Sequence, residues 1–181
     1  MSYLLSKELL NSVRNETRFI STINESINAR KRNAYNFEVT VFLSHKHSDK
    51  AILENVVAML KKLGVFVYVD WNDEGMPAKT SGVTANRIKQ KIKDCKKFIL
   101  LATEDAIKSK WGNWELGLGD AQKYPQNIAI MPITEKRGDI FSGSEYLQIY
   151  PIIKTEYYYS LGSYYVEYNG KKIKLENWLK S

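Results

Sequence analysis

The stretch Ser109-Lys110-Trp111-Gly112-Asn113-Trp114-Glu115-Leu116-Gly117 is the most unusual in this chain of 181 residues. A helix beginning at Trp111 places Trp111 and Glu115 at i and i+4 on one face, an indole one turn before a carboxylate. A carboxylate flanked by tryptophan and leucine is a candidate for a displaced pKa and a functional role. The same residues also read as a helix-face glutamate beside two core tryptophans, and the spacing alone leaves both readings open. His45 and His47 stand two apart in a loop. They are too sparse for a metal centre but placed to touch a ligand. Cys95 falls at helical spacing with Ile88 and Ile92, as a small inward hydrophobe rather than a nucleophile. The chain has no Walker-type phosphate loop, no GxGxxG, no HExxH and no CxxC pair.

The elements that must position these residues alternate between strand and helix. Val39–Leu43 is a short β-branched run, followed by a helix with Ile52, Leu53, Val56, Val57, Leu60 and Leu63, which Ser48 or Asp49 caps and Gly64 stops. Val65–Val69 is the second strand and ends on Asp70. A loop from Trp71 to Gly82 carries Gly75, Pro77 and Gly82 as breakers. The helix from Thr84 to Cys95 leads to the strand Phe98–Leu101. A broken helical region spans Glu104–Lys123, and Ile128–Ile133 and Tyr150–Ile153 complete the strands. Strand-helix-strand units with short connections predict right-handed crossovers and a parallel sheet. Ligands gather at the carboxyl ends of such strands, which selects 44–49, 70–82 and 103–115.

Both ends of the chain follow other patterns. Leu9, Leu10, Val13, Ile20, Ile23 and Ile27 recur at three- and four-residue intervals, predicting one long amphipathic helix from Ser6 to about Arg32. Near the other end, Asn169-Gly170 between Tyr164–Tyr168 and Lys171–Leu175 is a type I′ hairpin signature. Eight of the 12 tyrosines lie between 146 and 168, a clustering suited to core packing or an interface.

The net charge is +7. Arg87, Lys89, Lys91, Lys93, Lys96 and Lys97 against Asp94 make a local +5, read as the wet side of an amphipathic helix. No aromatic is interleaved to stack bases, so nucleic acid is not an expected partner. No apolar run approaches the ~20 residues of a membrane span. One cysteine and the absence of a signal-peptide pattern suit a reducing cytoplasm.

Taken in order, these motifs resemble the Toll/interleukin-1 receptor (TIR) domain family over about residues 37–155. Val41-Phe42-Leu43-Ser44-His45-Lys46-His47-Ser48-Asp49 resembles the family's opening box, with Lys46 where many members have Arg. Val67-Tyr68-Val69-Asp70 leading into Trp71–Pro77 resembles its second strand and BB loop, with Gly-Met-Pro at the tip. Lys96–Thr103 resembles its third strand. Ser109-x-Trp111 followed by Glu115-Leu116 resembles the signature of its NAD-cleaving members.

The resemblance implies a flavodoxin-like parallel five-stranded sheet flanked by helices. An N-terminal helix (1–36) and a tyrosine-rich tail with hairpin and short helix (156–181) are expected outside the family core (37–155). It further implies NAD+ as substrate rather than cofactor, with no metal, and Glu115 as the catalytic carboxylate. Trp111 would line the pocket and stack on nicotinamide. Ser44, His45 and Lys46 would contact ribose or phosphate oxygens. Asp70 would anchor the mobile loop, and Trp71 would close over the ligand. Expected partners are further copies through TIR–TIR contacts and a separate effector sensing a cyclic product in bacterial antiphage defence. Adaptor members often lack the equivalent glutamate, so Glu115 weighs toward an enzyme. The alternative is a non-catalytic assembly module. A receiver-like relative would need an acidic cluster where this chain has Leu43-Ser44-His45.

Overall fold

The computed structural model describes residues 2–16, 39–73, 75, 81–141, 143–156 and 163–181. The strands are β1 (Leu5–Ser6), β2 (Thr40–Ser44), β3 (Phe66–Tyr68), β4 (Lys97–Ala102), β5 (Ile128–Thr134), β6 (Ile152–Thr155), β7 (Tyr164–Tyr168) and β8 (Lys171–Lys174). The helices are α1 (Lys7–Glu16), α2 (Lys50–Lys62), α3 (Gly82–Asp94), α4 (Glu104–Ile107), α5 (Lys110–Gln122) and α6 (Leu175–Lys180). The sheet runs β3-β2-β4-β5-β6-β7-β8, with β1 paired to β5. Its first five strands are parallel, as the sequence implies.

β4 and β5 are buried along their whole length, the pattern of strands covered on both faces. Strand alternation sorts the side chains into two layers. Val41, Leu43, Ile99 and Leu101 pack with α1, α2 and α6, while Phe42, Phe98 and Leu100 pack with α3 and α5. Phe42 stacks on both Tyr68 and Phe98 in the second layer. Gly64 ends the α2 region at φ +80°, and Asn169 and Gly170 both take positive φ in the β7–β8 turn. This is the backbone of the type I′ turn that Asn169-Gly170 predicts between the antiparallel β7 and β8.

Several expectations are corrected. Neither Ser48 nor Asp49 caps α2 through its side chain. Residues 47–49 form a short 3₁₀ turn before it, and the Asp49 carboxylate bonds Thr103 instead. The N-terminal region starts as a strand, parallel to β5 through Leu5↔Ile133, before α1 begins. The expected continuation of this helix beyond Glu16 lies outside the described residues, as do 74 and 76–80 of the Trp71–Gly82 loop. Both ends share the central core: Leu5, Leu10, Val166, Leu175, Trp178 and Leu179 are buried in one cluster with the sheet.

The basic stretch is not uniformly solvated either. Lys97 is only 1% exposed. Its ammonium donates to Asn127 Oδ1 at 2.7 Å and Ser181 Oγ at 3.1 Å, 4.8 Å from the Trp178 ring centre. Burial pulls it down to about 8. Between about 8 and its ordinary 10.5 the unfolded chain holds the extra proton, so stability rises with pH across that window. Lys97→Met should raise Tm at pH 7 and flatten that rise, as thermal unfolding at pH 7 and pH 10 would register.

Candidate active site

The strand order β3-β2-β4-β5-β6 reverses between β2 and β4, because β3 lies on one side of β2 and the chain then crosses to β4 on the other. Ligands of open α/β sheets bind in the crevice at such a switch point, beyond the strand carboxyl ends. Ser44 is the last residue of β2 and shares the face of Phe42, two residues earlier. That face is covered by α5. The buried stripe of α5 is Gly112, Glu115, Leu116 and Gly119, at helical i, i+3, i+4, i+7 spacing. A carboxylate thus fills a core position of the helix.

Ser44 and Glu115 meet: the Ser44 hydroxyl donates to Glu115 Oε2 at 2.5 Å, and the two residues are 1% and 3% exposed. Burial pushes the Glu115 carboxyl up to about 8, and nearby Asp70 raises it further. Hydrogen bonds from Ser44 and the Trp111 side chain pull the other way. Glu115 is therefore largely protonated at neutral pH. Trp111 is half-buried and packs against Trp114, ring centres 4.9 Å apart.

His45 alternates to the other side of the strand end. Its Nδ1 donates to Leu43 O at 3.1 Å, and Nε2 lies 3.4 Å from Asp70 Oδ1. Burial lowers its pKa, with Asp70 opposing. The Trp71 indole meets the His45 ring edge-on at 5.4 Å, and the Lys50 ammonium lies 5.4 Å from the centre of that indole. Asp70 Oδ1 accepts from the Trp71 amide at 2.8 Å, fixing the start of the loop. Lys46 points away to Asp105 at 3.7 Å on the surface. Six of the seven residues singled out thus surround the end of β2, with Lys46 at the margin.

Two local structures escaped the sequence. Asp73 accepts from Tyr68 Oη at 2.8 Å, Arg87 Nε at 2.8 Å and the Gly75 amide at 3.1 Å. The guanidinium of Arg87 holds its carboxyl down to about 2. Arg87, with its side chain 38% exposed, stays on the wet face and also clamps the loop; an aspartate three residues beyond Asp70 was the available signal. The second is the Asp49–Thr103 bond. Thr103 before Glu104-Asp105 is a readable N-cap, but its reach to Asp49 is not.

Gly119 sets how closely α5 approaches the sheet. A Cβ there would lie 3.1 Å from Phe98 Cδ2, whereas one at Gly117 would meet nothing within 4 Å. Gly119→Val should lower Tm by several degrees through overpacking of about 1–3 kcal/mol. Gly117→Ala should raise stability by about 0.5–1 kcal/mol. Thermal melts of the two variants check both signs.

Among the described residues no group of three His, Cys, Asp or Glu could hold a metal ion, and no helix is long and apolar enough to cross a membrane. Cys95 is buried and its thiol is pushed up to about 11. A separate depression lined by Glu104, Ile107, Glu135, Asp139, Ile140 and Phe141 contains none of the seven residues.

Fold and site together define a flavodoxin-like α/β domain with a buried glutamate at its switch point. The TIR domain profile matches residues 41–152, and the chain belongs to the TIR domain family. It is similar to a Bacillus cereus (strain MSX-D12) protein named as a probable 3' cyclic ADP-D-ribose synthase, 33% identical over 116 residues. That match covers 62% of this chain and 59% of the relative. A Methanobrevibacter olleyae protein named as a probable 2' cyclic ADP-D-ribose synthase is 30% identical over 96 residues, covering 52% of this chain and 27% of that protein. The chain thus spans little more than half of the first relative's length and about a quarter of the second's.

Proposed function

We propose that this chain cleaves the nicotinamide–ribose bond of NAD+, with Glu115 as the catalytic carboxylate. The observation that carries the reading is a buried glutamate, held by Ser44 and set beside Trp111, in the switch-point crevice of a TIR-family chain. Breaking this bond leaves positive charge on the anomeric carbon. The departing pyridine is already cationic and leaves neutral, so it needs no general acid. A fixed carboxylate that stabilises the oxocarbenium is what helps, as in glycoside hydrolysis with the acid's role removed. The cationic substrate also supplies the charge that ionises Glu115, whose protonated form burial favours.

Ser44 orients the carboxylate and Trp111 lines the nicotinamide pocket. His45 contacts ribose oxygens, and Lys46 reaches a phosphate oxygen by swinging in from its exposed contact with Asp105. Asp70 anchors the loop, from which Trp71 closes over the ligand. The names of the two relatives favour an internal hydroxyl over water as the acceptor, giving a cyclic ADP-ribose-type product. We read this product as a cytoplasmic signal in bacterial antiphage defence, made by self-associated copies and sensed by a separate effector.

The test is to incubate purified protein with NAD+ over a range of protein concentrations. Nicotinamide release is followed and the products are weighed by mass spectrometry. Nicotinamide with a product one water lighter than ADP-ribose is expected. ADP-ribose alone would reduce the reading to hydrolysis. No release at any concentration, including from assembled protein, would overturn it.

A further inference from the structure

A second hydrogen bond spans the same crevice, on residues to which the reaction assigns no part. Thr103, immediately after β4, donates its hydroxyl to Asp49 Oδ2 at 2.6 Å, and Asp49 lies in the turn after β2. The two are 2% and 7% exposed. The bond joins segments 54 residues apart in sequence, on the two sides of the switch point. The Thr103 hydroxyl also accepts from the Ala106 amide at 3.1 Å, so one oxygen caps α4 and reaches across the gap.

Each end of this strut leads directly to a member of the Ser44–Glu115 pair. On one side, the loop from Ser44 through His45 and Lys46 ends at Asp49, whose amide bonds Lys46 O at 2.9 Å. On the other, Thr103 starts α4, and α4 holds the head of α5. Ser109 N donates to Ala106 O at 3.0 Å, and Asn113 Nδ2 donates to Ile107 O at 3.1 Å. The Lys46–Asp105 contact crosses the same gap at 3.7 Å, but it is exposed and contributes little. A buried carboxylate bonded by a hydroxyl is also a poor stabiliser compared with a packed apolar pair. Its presence is better explained by the geometry it imposes.

We propose that Asp49 and Thr103 are positioning residues, whose hydrogen bond sets the distance between the β2 loop and α5 and so places the Ser44 hydroxyl on Glu115. The proposal rests on the NAD+-cleaving reading of that site. A displacement of about 1 Å at a reacting group can lower turnover by up to 10²-fold. Thr103→Val and Asp49→Ala remove the bond, whereas Thr103→Ser and Asp49→Asn retain a donor and an acceptor.

Kinetics of nicotinamide release and Tm measured on the same preparations test it. The first two variants should lose about tenfold or more in kcat with KM within twofold, and the conservative pair should stay near the unaltered chain. Thr103→Val should also lower Tm, because Asp49 stays buried without its donor. Adding Asp49→Leu should recover the part of the Tm loss that comes from the unpaired carboxylate, leaving that of the lost α4 cap, while kcat remains low. A kcat that follows Tm through the whole set, or Thr103→Val with unaltered kcat, would overturn the proposal. Should the unaltered chain release no nicotinamide, the NAD+ reading has failed and hydrogen exchange decides the strut alone. Faster exchange at 44–49 in both Thr103→Val and Asp49→Ala, with β5 unchanged, supports it; unchanged exchange at 44–49 rejects it.

Discussion

Glu115→Gln should lower nicotinamide release by about 10²-fold or more, the scale of losing one preorganised stabilising group. The amide keeps the shape of the side chain and can still accept from the Ser44 hydroxyl. It cannot supply negative charge to an oxocarbenium. The fold should respond in a way that depends on pH. Glu115 has a folded pKa of about 8 against an ordinary 4.5, so the folded chain binds the proton more tightly. Its stability is full below 4.5 and falls as pH rises through 8, with a slope approaching about 1.4 kcal/mol per pH unit between the two. Gln lacks this slope. At pH 5 the two proteins should melt together, and at pH 9 the variant should be the more stable. The unaltered chain should also show kcat/KM rising with pH through a midpoint near 8 to a plateau above it, since the free protein must lose that proton. A variant that turned over at the original rate would remove Glu115 from the chemistry. One less stable than the original at every pH would make Glu115 a structural partner of Ser44.

Trp178→Ala should damage the fold severely. The indole is 4% exposed, donates to Gln126 O at 2.7 Å and lies over the Lys97 ammonium. Truncating a buried Trp costs about 3–5 kcal/mol, enough to lower Tm by roughly 10 °C or more in a chain of this size. It would also leave Lys97 without its aromatic cover. Trp178→Phe, which keeps a ring but loses the hydrogen bond, should fall between. Calorimetry of the two variants measures the effect. A Trp178→Ala chain melting within a few degrees of the original would mean that α6 is dispensable to the core.

The sequence revealed the layers of this fold better than its edges. β2, β4 and β5 are short β-branched or aliphatic runs, and α2 and α3 carry clean 3.6-residue periods, so local pattern and tertiary environment agree. β1 is two residues long and exists only because β5 offers it an edge. Nothing local in Leu5-Ser6 announces that. The tail hairpin was legible from Asn169-Gly170, but its attachment to β6 depends on Ile152–Thr155 presenting an unpaired side. At the site, Trp111 and Glu115 were linked by helix spacing alone. Ser44 and Glu115 are 71 residues apart, and only the sheet order joins them. Lys97 looked like one more surface lysine because its partners, Asn127, Trp178 and Ser181, come from distant parts of the chain.

The pairing of Leu5 with Ile133, together with the docking of α6 beneath β4, bears on how the molecule comes into being during synthesis. Parallel pairings and sequence-distant contacts form late, because loop closure must precede the contacts that reward it. A nascent chain that has β2, β4 and α5 but not residues 175–180 still lacks Leu175, Trp178 and Leu179 from its main core. Its Ser44–Glu115 pair is then carried by an unfinished scaffold. A complete scaffold for the crevice thus requires residues 175–180 to have been synthesised, and a ribosome stalled before them exposes a partly packed intermediate.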